Sequence, residues 1–94
     1  MWAGTVVGTV VATPKDESLT GSKLLLVQPM RFGQGGKTEL VVAVDMIGAG
    51  TGEQVLVVAG SSARCVTGRA QSAVDAAIIG IIDSIEVNNA LLEG

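Results

Sequence analysis

Hydrophobic and polar positions alternate along this chain with the short period of β-strands rather than the longer period of helices. From Trp2 to Ala12 the even positions read Trp, Gly, Val, Gly, Val, Ala, while Thr and Val alternate at the odd positions after Ala3. β-Branched residues dominate this run and favour a strand, which Pro14 ends. Gly4 and Gly8 share one face, where a glycine inside a strand marks sharp curvature or the close approach of another backbone. Lys15–Ser22 is polar and predicts a loop. Lys23–Met30 predicts a second strand ending near Pro29, and glycine-rich Arg31–Lys37 a connection. Glu39–Asp45 and Glu53–Ala59 predict strands three and four, separated by a tight glycine-rich loop at Ile47–Gly52. Gly60–Cys65 predicts a single helical turn capped by Ser61 or Ser62, and Gln71–Ala77 a second short turn. Ile78–Val87 predicts the last strand, apolar on both faces at first and then on one.

Five short strands with tight turns and no long amphipathic helix predict an all-β fold. The pattern fits a small five-stranded OB-like barrel with one or two short helical turns. Ninety-four residues make one domain, 1–94, without internal repeats.

Composition changes the picture by raising a question of surface. Hydrophobic residues make up 48% of the chain and charged residues only 16%, against about 25% charged in an average soluble domain. A domain of this size leaves much of its surface outside the core. The surplus of apolar side chains therefore predicts self-association, with the excess buried against other subunits. A coat of Thr, Ser and Gly on a monomer is the alternative.

Charge and residue types narrow the function. The net charge is −3 and the six basic residues are scattered, so no positive footprint for nucleic acid or an anionic membrane forms. No apolar stretch approaches the ~20 residues of a spanning helix, and no signal-peptide pattern opens the chain. One cysteine allows no internal disulfide, and the cytoplasm is the expected compartment.

The chain has no His, which removes Ser–His–Asp and Cys–His catalysis and the usual metal ligands. A small enzyme would have to rely on a Ser–Lys or carboxylate pair, but the acidic residues read as solvated surface at strand ends. Gly48-Ala49-Gly50-Thr51-Gly52 superficially suggests a phosphate loop, but Glu53 and a strand follow where a phosphate loop would open a helix. The loop reads instead as a turn forced through positive φ, or a place where backbones converge. Cys65 beside Val66 reads as a small buried side chain. Arg64, in so uncharged a chain, predicts a structural or interfacial pairing with a carboxylate, Glu53 or Asp75. An OB-type module for single-stranded nucleic acid or a small ligand is the alternative function. It is weak with Trp2 and Phe32 as the only aromatics.

Four segments together resemble the bacterial microcompartment vertex family, which includes carboxysome and ethanolamine-utilisation vertex proteins. They are Val7 with Gly8-Thr9-Val10-Val11-Ala12-Thr13 and Lys15, and Gly21-Ser22-Lys23-Leu24-Leu25-Leu26-Val27-Gln28. The third and most specific is Asp45-Met46-Ile47-Gly48-Ala49-Gly50-Thr51-Gly52-Glu53, with Val55-Leu56 and Gly60-Ser61-Ser62-Ala63-Arg64. The fourth is Val74-Asp75-Ala76-Ala77-Ile78-Ile79-Gly80-Ile81-Ile82-Asp83. The resemblance implies a homopentamer filling the fivefold corners of a polyhedral shell otherwise tiled by hexameric proteins, in the cytoplasm, with no enzyme activity and no cofactor. It also implies that Gly48–Gly52 lies near the ring axis, around a narrow pore. Arg31–Lys37 and Leu91–Gly94 match the family less well.

Overall fold

β-Branched and leucine-rich segments need neighbours for their backbone groups, and here they find them by closing on each other. The computed structural model of the chain describes residues 1–13, 22–30, 39–67 and 74–92. Residues 15–21 of the loop expected over 15–22, the whole connection expected over 31–37, and residues 71–73 of the second expected turn lie outside these.

Five strands, β1 (Trp2–Val10), β2 (Leu24–Pro29), β3 (Val41–Asp45), β4 (Gln54–Ala59) and β5 (Ala76–Ile81), form a closed barrel in the order β1-β2-β3-β5-β4. All pairings are antiparallel except β3 with β5, which is parallel and consists of two residue pairs, Val44 with Ala77 and Asp45 with Ile78. One helix, α1 (Gly60–Thr67), follows β4, and a 3₁₀ turn covers Asn89–Leu91. This is the five-stranded barrel with a short helix after the fourth strand that the sequence predicts, but Ala76 and Ala77, expected in a second short turn, belong to β5. Among the described residues no helix is long and apolar enough to cross a membrane.

The glycine readings of β1 separate into two causes. A Cβ on Gly4 would stand 2.6 Å from Val27 Cγ1 and 2.9 Å from the Gln28 carbonyl oxygen, so here another strand does come close. Gly8 has open space, its nearest neighbour being Leu26 Cβ at 4.0 Å. It instead follows a register shift between Val6 and Gly8, where the bulged strand bends to close the barrel.

Two apolar clusters result. Val6, Leu25, Val27, Val55, Val57 and Ile78 are fully buried in the barrel interior, with Trp2 and Val41 packed against them. A smaller cluster of Val44, Val58, Ala63, Val74 and Ala77 joins α1 to the barrel.

Both ends of the last strand differ from the sequence reading, and pairing explains both. The last strand begins at Ala76 and stops at Ile81, rather than running over 78–87. β4 is its antiparallel partner, and pairing runs from Ala59–Ala76 to Val55–Ile81. After that, the Ile82 amide donates to the Gln54 carbonyl at 2.8 Å and β4 has nothing more to offer. The helix is eight residues long, not one turn, and Ser61 and Ser62 lie within its first turn.

Candidate assembly surface and the Asp45–Glu53 loop

β3 ends on Asp45, and the chain must then return to β4 across the mouth of the barrel. A loop without a ladder leaves its backbone N–H groups without partners, and here two carboxylates supply them. Asp45 Oδ1 accepts from the amides of Ile47 at 3.1 Å, Gly48 at 3.0 Å and Ala49 at 3.2 Å. Glu53 Oε1 accepts from the Gly50 amide at 2.6 Å, while the Glu53 amide donates to the Gly50 carbonyl at 3.1 Å. β1 completes the set: Gly52 donates to the Val6 carbonyl at 2.7 Å, and Val6 donates to the Glu53 carbonyl at 2.9 Å. Gly48 and Gly52 take φ of +83° and +93°, the positive values the sequence reading expects. Gly50 does not. The curl turns Ala49 into the barrel core, where it is fully buried.

Lys23 joins this cap from β2's side. Its ammonium donates to the Ala49 carbonyl at 3.2 Å and stands 3.6 Å from Asp45 Oδ2. The Lys23 side chain is 55% exposed and that of Asp45 only 2%. Burial of the Asp45 carboxyl works against its charge. The amides of Ile47, Ala49 and Gly48, reinforced by Lys23, outweigh that penalty and hold its pKa below the ordinary value. Asp45 is thus the residue the sequence reading missed. It looked like a solvated acid at a strand end, and it is a buried clamp. An Asp directly before a glycine-rich turn was the available signal, since its side chain can take the amides two to four residues on.

The remaining candidates are placed as follows. Arg64 lies in α1 and is half-buried, while Asp75 is exposed just before β5. Their elements meet through the Gly60 amide, which donates to the Asp75 carbonyl at 2.8 Å. Glu53, the other partner considered for Arg64, holds the Gly50 amide. Cys65 corrects the sequence reading, because it is exposed rather than buried. On α1 the inward position falls to Ala63, and residues two apart on a helix point to nearly opposite sides.

Among the described residues no group of three or more His, Cys, Asp or Glu could hold a metal ion, and no buried side-chain nitrogen or oxygen lacks a hydrogen bond. What the surface carries instead is apolar. Val11, Leu40, Val42, Met46, Ile47, Val66 and Ile81 are exposed. Two shallow hollows are lined mainly by apolar side chains: one by Ala3, Leu56, Ile81, Ile82 and Ile85, the other by Ile85, Val87, Leu91 and Leu92.

A closed barrel with this much apolar side chain on its surface has the exterior of a building block, a class of protein whose work is contact. Comparison with known proteins makes the class specific. The family model described as "Ethanolamine utilisation protein EutN/carboxysome" matches residues 1–83, and the chain belongs to that family. It is 50% identical over 91 residues to the bacterial microcompartment shell vertex protein GrpN of Rhodospirillum rubrum, covering 95% of this chain and 100% of GrpN. It is 48% identical over 82 residues to the carboxysome shell vertex protein CcmL of Synechococcus elongatus, covering 87% of this chain and 83% of the relative. Its fold superposes on the solved structure of GrpN, a pentameric microcompartment shell protein, with a TM-score of 0.81 and 45% identity, covering 94% of this chain and 100% of that one. Members of this family are structural shell vertex proteins, not enzymes. The nucleic-acid alternative finds no support among them.

Proposed function

We propose that this chain is a structural subunit that closes into a homopentameric ring and caps the fivefold vertices of a bacterial microcompartment shell. The likeness to pentameric GrpN over that protein's full length carries the reading. Physical argument supports it. A flat lattice of hexagons cannot close, so a fivefold ring must introduce curvature. A cyclic ring repeats one heterologous contact, which requires two different complementary patches on each subunit. The exposed Leu40, Val42, Met46, Ile47 and Ile81 supply apolar surface for it. In native mass spectrometry the protein is expected at five times its 9.5 kDa subunit mass. A lone monomer at micromolar concentration overturns the reading.

The finer assignments follow from the same reading. The ring sits in the cytoplasm among hexameric shell proteins, and co-purification with such tiles is the measurement that tests this. The Gly48–Gly52 loop, with Glu53, faces the ring axis. Added Cβ atoms on Gly48 and Gly52 meet nothing within 4 Å in the isolated subunit, leaving room for converging copies. Arg64 and Asp75 form a pairing that steadies α1 against β5 or the subunit contact. A double-mutant cycle with Arg64→Ala and Asp75→Ala tests it, and additive losses count against it.

A further inference from the structure

The chain leaves the barrel at Ile82, and every residue from Asp83 to Leu92 is exposed. The hydrogen bonds of this segment close on itself: Ala90 donates to Asn88 Oδ1 at 3.1 Å, Leu91 to the Asn88 carbonyl at 3.0 Å, and Leu92 to the Asn89 carbonyl at 3.3 Å. Yet it is apolar. Ile85, Val87, Leu91 and Leu92 are all exposed, Leu91 at 77%. Ile85, Val87 and Leu92 are only partly covered and Leu91 hardly at all, so on its own subunit the segment recovers only part of the entropy of being ordered.

The likeness to a pentameric protein supports another copy as the source of the remaining compensation. The family match stops at residue 83, but GrpN superposes on 94% of the chain. Part of the segment is therefore shared with a pentameric protein, although it lies past the barrel common to the family. That structure is of GrpN in its pentameric form, so the surface at hand for such a segment is another copy.

We propose that residues 84–92 are an intersubunit arm whose apolar strip, Ile85, Val87, Leu91 and Leu92, clasps the neighbouring copy in the ring; this rests on the pentamer reading above. Ile85 lines both hollows, so they adjoin there, one reaching Ala3 and Leu56 on the barrel and the other reaching Leu92. The nine residues reach at most roughly 30 Å when extended, enough to cross a subunit whose shorter dimensions are 23 Å. The arm supplies one of the two unlike patches that a head-to-tail contact needs, and the neighbour's exposed apolar residues supply the other.

The test compares wild type, a chain ending at Ser84, and full-length Leu91→Asp/Leu92→Asp, by native mass spectrometry over a dilution series. Both variants are expected to need at least tenfold more protein to form the ring. Their circular dichroism under dissociating dilution should match wild type, since the arm lies past all five strands of the barrel. Variants that form the ring at the wild-type concentration overturn the proposal. So do variants that keep the ring but no longer co-assemble with hexameric shell proteins, because the arm would then face those tiles. A wild-type chain that never forms a ring fails the pentamer reading itself, so the wild-type control separates the two failures.

Discussion

The Asp45–Glu53 loop and the 84–92 arm both lie mostly outside helix and strand, yet they are held in opposite ways. The loop spends its polar groups inward, with five of its amides, at Ile47, Gly48, Ala49, Gly50 and Gly52, taken by Asp45, Glu53 and the Val6 carbonyl. It also drops Ala49 into the core. The arm has neither anchor. Its polar bonds are local, and its apolar side chains stay exposed on the subunit. Irregular backbone is as firm as the destination of its donors and its apolar groups. The loop has its backbone donors satisfied within the subunit, whereas the arm is left with apolar side chains still to cover.

The largest expected effect comes from removing the clamp. Asp45→Ala leaves three amides without their acceptor, and should cost roughly 3 kcal/mol in urea unfolding at fixed protein concentration. A loss within 0.5 kcal/mol would mean that the loop is held by Ala49 and β1 alone. Acid sharpens the same point. The Asp45 pKa is lower in the folded protein than in the unfolded chain, where it is about 3.9. Its contribution is therefore in full force above the unfolded value and is lost as pH falls through the folded one. The stability gap between wild type and Asp45→Asn should accordingly narrow on acidification below about pH 4, read by thermal melts across pH 2–7.

Smaller effects are expected at the loop's glycines. Gly48→Ala and Gly52→Ala should each cost about 1–2 kcal/mol. The cause is backbone strain at positive φ, since no atom of the subunit crowds the new Cβ. The smallest belongs to the arm. Val87→Ser should leave unfolding of the dissociated subunit unchanged within about 0.5 kcal/mol, measured by circular dichroism at a dilution that disperses the ring. A clear loss there would show that the arm packs on its own barrel.

Sequence reasoning reached the barrel because β-branched alternation survives in β1 to β4, and it reached the surplus of apolar surface because so few residues are charged. It misplaced β5 for a reason no local pattern contains. Ile85 and Val87 continue the periodicity, but a strand lasts only as long as its partner, and β4 ends at Gln54. Ala76 and Ala77 were likewise unremarkable until Ala59 and Val58 paired with them. Of the site, the positive-φ glycines at 48 and 52 were legible, because few other residues tolerate that conformation. Asp45 was not, since its value depends on where the loop returns. Cys65 misled because a lone cysteine is usually buried, whereas helix phase set Ala63 inward instead.

The two-pair seam between β3 and β5 has its own consequence. Residues 44 and 77 are far apart along the chain, and their short parallel ladder is the last stitch that turns a curled sheet into a cylinder. Thermal fluctuation should undo that stitch before any other, opening the cylinder lengthwise while the long β1–β2 hairpin stays zipped. Amide protons at the seam should accordingly trade with solvent deuterium sooner than those of Val6 and Val27.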